Sequence, residues 1–159
     1  MTVKDKFWER TENPLRRCEQ CGSLGRDFDR MWDLSEAAFR LLVFGSRSFR
    51  DRRMMYGYLD KIKQGNLLHV ITGCAKGADW MAIEWSLSRA VPFTGYPADW
   101  KRSGKTAGIV RNERMGEVAD WAIGFWDGRS PGSGHMISLI EQHNSRWPEA
   151  RIRLKVVRF

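Results

Sequence analysis

From residue 40 onward the chain alternates between two hydrophobic periods. Residues 40–44, Arg-Leu-Leu-Val-Phe, hold a short unbroken apolar run, the pattern of a strand buried on both faces. Residues 50–63 then carry Met54, Met55, Tyr58, Leu59 and Ile62 at helical spacing, with Gly65 as the stop. A second strand is predicted over 67–71 and a second helix over 78–90, with Met81, Ala82, Trp85 and Leu87 pointing inward. The same alternation predicts a strand over 91–96, with Pro92 near its start where a proline is tolerated. A helix over 106–118, a strand over 121–126 and a helix over 134–145 follow. Residues 151–159 set Ile152, Leu154 and Val156 against Arg153 and Lys155, which reads as a half-exposed edge strand.

Strands alternating with helices of this length imply crossover connections and a mostly parallel sheet of about five strands, with helices on both faces. The fold class is therefore α/β, a three-layer sandwich. Such a sheet holds its ligand beyond the carboxyl ends of the strands, where strand order reverses. Residues 39–159 form this domain. Residues 1–38 lack a clear period and read as a partly ordered extension, with one helix near 28–39.

Length and composition narrow the class further. At 159 residues and 18.5 kDa the chain is sized for one domain able to bury a core without covalent staples. Its 42% hydrophobic and 29% charged residues exclude wholesale disorder. No apolar run approaches the ~18 residues of a membrane span. The first six residues introduce no apolar stretch of the secretory kind, and three cysteines cannot all pair internally. A soluble, cytoplasmic protein with reduced thiols is expected.

The net charge of +8 is unevenly placed. Residues 1–40 hold eight basic and eight acidic side chains, whereas 41–100 hold eight against five and 101–159 eleven against six. A basic surface attracts polyanions of any kind, so phosphorylated small molecules and nucleic acid both fit.

The loops after the predicted strands carry the candidate chemistry. Thr72-Gly73-Cys74-Ala75-Lys76-Gly77 combines two glycines, a lysine and a helix start. Such turns leave backbone N–H groups pointing outward, so a phosphate can approach without meeting Cβ atoms. The helix dipole behind adds ~0.3–1 kcal/mol for an exposed anion. Ser130-Pro131-Gly132-Ser133-Gly134 repeats the pattern at the last helix, and Gly45-Ser46-Arg47 places an arginine just beyond the first strand. Gly104-Lys105-Thr106 imitates the tail of a Walker A loop, but Asp99 stands where its first glycine belongs.

In order along the chain, Val43 to Arg47, Thr72 to Asp79, Pro97 to Trp100, Ala107 to Asn112 with Met115, and Trp126 to Ser133 resemble the YspA-like (cpYpsA-related) family of the SLOG superfamily. That superfamily also contains the Lonely Guy phosphoribohydrolases and the DprA/Smf proteins. The resemblance covers about residues 40–145 and implies a Rossmann-like domain whose pocket holds a nucleotide or a nucleotide-derived ligand. It assigns ligand binding to Gly45, Ser46, Arg47, Gly73, Lys76, Gly77, Arg111, Asn112, Trp126, Gly128, Ser130, Gly132 and Ser133. Arg111 stands where Lonely Guy enzymes have an arginine before their glycine-rich loop. Their glutamate after that loop is replaced here by Gly134 and His135. Cys74 replaces the glycine usual in the second loop.

If the chain is an enzyme, a nucleotide N-glycosidase fits best, with Arg111 and Asp127 as its catalytic pair and Asp99 as a substitute carboxylate. Without a complete catalytic constellation, the leading expectation is binding. The chain would capture a phosphorylated nucleotide or ADP-ribose/NAD-derived molecule as sensor, carrier or sequestering protein. DprA-like binding of single-stranded nucleic acid is a third reading, and a homodimer is expected. No cofactor is expected. Trp100 and Trp126 are placed to stack a base, whereas Trp80, Trp85 and Trp121 read as core. His69 reads as a core histidine with its hydrogen bonds satisfied. Cys18 and Cys21 have half-zinc-site spacing but need two further ligands.

Overall fold

The computed structural model describes residues 39–159. Cys18, Cys21 and the helix expected before Phe39 lie outside the described residues. The elements run β1 (Phe39–Gly45), α1 (Arg52–Lys63), β2 (Leu68–Thr72), α2 (Ala78–Ser88), β3 (Phe93–Gly95) and α3 (Trp100–Ser103). They continue as α4 (Ala107–Val118), β4 (Trp121–Trp126), α5 (Pro131–Arg146) and β5 (Arg153–Arg158).

All five strands are parallel, in the order β3-β2-β1-β4-β5. Leu41 and Val43 of the central strand face a core built with Met55, Leu59, Ala82 and Trp85. Leu42 and Phe44 face a second core with Met115, Met136 and Ile140. Helices α1 and α2 therefore cover one face and α4 and α5 the other, giving the three layers of a Rossmann-like fold. Across from Phe44, Gly124 leaves the space into which that ring packs, since a Cβ there would collide with it. No helix among the described residues is long and apolar enough to cross a membrane.

Capping residues fix the helix starts. Asp51 accepts a hydrogen bond from the Met54 amide at 2.9 Å, opening α1 two residues later than the apolar spacing predicts. The last helix begins at Pro131, three residues before its expected start, because a proline is well suited to the first turn. The third strand is shorter than predicted. The Val91 amide donates to the Ser86 carbonyl at 2.9 Å, so Val91 belongs to the exit from α2. Leu87, expected inward, is exposed, and Trp121 is half-buried against Phe39 and Arg153. Trp85 is fully buried, and its indole N–H donates to Asp60 at 2.9 Å, tying α2 to α1.

Candidate functional site

Strand order reverses at the β1/β4 boundary, so the tips of these two strands flank the crevice such sheets use for ligands. Ser46 joins them. Its amide donates to the Phe125 carbonyl at 2.8 Å, and its hydroxyl accepts from the Asp127 amide at 3.1 Å. With 1% exposure, Ser46 is a buried joint between loops rather than an open ligand contact. The second loop packs on it directly. Gly77 has φ +80°, and a Cβ there would lie 2.5 Å from the Ser46 carbonyl oxygen and 2.6 Å from that of Arg47. Only glycine meets both demands. Gly45 is equally confined, between the Phe125 carbonyl and Ala78.

Outside this junction lies a cavity of about 920 Å³. Arg47 and Arg50 come from the first loop, Cys74 and Lys76 from the second, Trp80 from α2, Trp100 from α3 and Arg111 from α4. Cys74 has φ +61°, the left-handed backbone that explains why glycine suits this position. Trp80, expected in the core, is instead an exposed wall of the cavity. The sole carboxylate in the lining, Glu84, is bonded to Arg52 at 2.7 Å.

Arg111 is half-buried and donates from Nη1 to the Gly73 carbonyl at 2.8 Å, while its buried Nε has no partner. Asp79, in the first turn of α2, is buried beneath the same loop and accepts from the Ala75 amide at 3.2 Å. Burial pushes its carboxyl up to about 6, against the opposing pull of the Arg111 charge. On β2, His69 is half-buried, with Nε2 2.7 Å from the Thr94 hydroxyl, and burial lowers its pKa to about 4. It is the satisfied histidine its strand position predicts.

The fourth loop forms a separate cluster. Asp127 accepts from the amides of Arg129 and Ser130 at 2.9 and 2.8 Å and from the Ser130 hydroxyl at 2.9 Å. The Ser130 and Arg129 amides hold its carboxyl well below the usual carboxylate range. Asn112 Nδ2 donates to the Gly132 carbonyl and contacts His135 Nδ1, both at 3.1 Å. Trp126 donates from its indole to the Ser130 carbonyl at 3.1 Å, under the Arg158 guanidinium 4.3 Å from its ring centre. Gly128, with φ +80°, lies against Arg158, and Ser133 is buried.

Arg47, Lys76, Gly77 and Arg111 thus line the cavity, and Gly73, outside the lining, accepts a hydrogen bond from Arg111. Around the start of α5, Asn112 bonds Gly132 and Trp126 bonds Ser130, and these four, with Gly128 and Ser133, are not part of the lining. The amides of Ala75, Arg129 and Ser130 are not open to an anion, because Asp79 and Asp127 accept their hydrogen bonds. Positive charge at the cavity is carried by side chains. The two carboxylates considered for catalysis both act as caps, Asp127 of its own loop and Asp99 of α3 through the Arg102 amide at 3.0 Å. Among the described residues no cluster of His, Cys, Asp and Glu could hold a metal ion.

A parallel sheet with a basic, tryptophan-walled cavity beyond its carboxyl edge makes this a Rossmann-like domain. The chain belongs to the YAcAr family, the YspA, cpYpsA-related SLOG family, whose profile matches residues 39–103. It is 38% identical over 104 residues to the Gene 61 protein of Mycobacterium phage D29, covering 60% of this chain and 83% of that protein. Its fold is similar to that in the X-ray structure of DNA processing protein A (DprA) from Streptococcus pneumoniae. The TM-score is 0.52 at 20% identity, over 78% of this chain and 51% of that one, so this chain spans about half the length of that structure.

Proposed function

We propose that the cavity binds a phosphorylated nucleotide or nucleotide-derived small molecule, and that the protein acts as its sensor, carrier or sequestering protein. The carrying observation is the pairing of Arg47, Lys76 and Arg111 with two exposed indoles, Trp80 and Trp100, around one cavity. Guanidinium and ammonium groups suit phosphate oxygens, and indole faces suit a base. Binding is favoured over glycosidic cleavage because Glu84 is engaged by Arg52 and Asp127 by its own loop. Calorimetric titration with a panel of nucleoside mono-, di- and triphosphates tests the reading. Micromolar binding weakened by Lys76→Ala supports it, and uniformly absent binding refutes it. Release of free base from AMP, lost in Arg111→Ala, would replace it with the phosphoribohydrolase reading.

A further inference from the structure

We infer that the ligand of this cavity carries two nucleobases joined through phosphate, an inference that rests on the nucleotide reading above. Charge is the first argument. Arg52 is matched by Glu84 at 2.7 Å, and Arg111 lies against buried Asp79. Arg47 acts on Asp79 as well, so the five cations of the lining, Arg47, Arg50, Arg52, Lys76 and Arg111, are set against the two carboxylates Glu84 and Asp79 and leave a net of three positive charges. A lone phosphate monoester carries only about two negative charges. A 5′-phosphorylated dinucleotide adds a diester and brings the total to about three. Arg50 is already oriented, its Nη1 donating to the carbonyls of Arg47 and Phe49 at 2.7 and 2.8 Å. A cation held in place by neutral carbonyls keeps its full charge for a ligand.

The second argument is the aromatic pair. Trp80 is 39% and Trp100 46% exposed, yet both line the cavity, one from the first turn of α2 and the other from α3. What sets these two indoles apart from the equally exposed Trp147 is that both line one cavity, where each offers a face to a separate base. At about 920 Å³ the cavity is at the upper end of small-ligand sites, with room for more than one nucleoside.

The test is titration of the full chain, at low salt, with AMP, pApA and the octamer (pA)8. The expected result is that pApA binds about tenfold more tightly than AMP. Trp80→Leu and Trp100→Leu should each weaken pApA binding, with only one of them weakening AMP. Circular dichroism on both variants checks that these exposed substitutions leave the fold intact. Equal affinity for AMP and pApA would overturn the inference while leaving the nucleotide reading standing. If neither binds at millimolar concentration, both fall. Octamer affinity equal to that of pApA marks a free dinucleotide as the source, whereas further gain with a steeper salt dependence marks the end of a strand.

Discussion

Asp79 and Arg111 close on the same glycine from two elements. A Cβ on Gly73 would lie 2.8 Å from Asp79 Oδ2 and 2.9 Å from Arg111 Nη1. The loop between them is held at both ends, its Ala75 amide by the carboxylate and its Gly73 carbonyl by the guanidinium. Gly73→Ala should therefore displace Arg111 and break its bond to the loop. The expected cost is about 1–3 kcal/mol in denaturant unfolding, with a larger loss of nucleotide affinity than of stability.

Two buried groups titrate with opposite consequences. Asp79, raised to about 6, is protonated in the fold at pH values where the unfolded chain has already lost that proton. Its contribution to stability falls as pH rises from about 4 to 6. His69, lowered to about 4, is neutral in the fold where the unfolded chain is protonated, so its contribution rises over nearly the same window. The two slopes, each up to ~1.4 kcal/mol per pH unit, offset one another. Urea midpoints between pH 4.5 and 6 should thus be nearly flat in the wild type. They should fall on acidification in Asp79→Asn and rise on acidification in His69→Gln.

Ala90 follows α2 with φ +52° and an exposed side chain. The left-handed conformation after a helix suits glycine. Ala90→Gly should raise thermal stability by about 0.5–1 kcal/mol, a gain visible as a higher melting temperature with unchanged ligand binding.

Asp60 accepts from the Trp85 indole at 2.9 Å and from Arg89 at 3.0 and 3.1 Å, uniting α1 with α2. Asp60→Ala leaves the N–H of a fully buried tryptophan without its partner and should cost about 1–3 kcal/mol. Asp60→Asn, which keeps an acceptor for the indole, should cost less.

The parallel sheet was legible because 41–44 and 121–126 are apolar throughout, which a strand covered on both faces requires. Trp80 was not. Helix α2 is apolar nearly all round, so periodicity along it does not single out an outward indole. The glycine-rich loops were correctly placed at the strand ends, but a linear pattern does not say which way an aspartate turns. Asp79 and Asp127 turn back onto their own loops and take up the amides that the glycine pattern predicts to be open, leaving the cavity's positive charge to side chains. Arg50 was missed as a cavity residue because its fixed orientation comes from carbonyls made available only by the fold of the first loop.

The seating of Gly77 on the Ser46 and Arg47 carbonyls has a mechanical consequence. Arg47 and Lys76 ride on backbones packed against each other, so backbone contact fixes the spacing between their two positive charges. A substitution that shifts either loop therefore displaces both charges together.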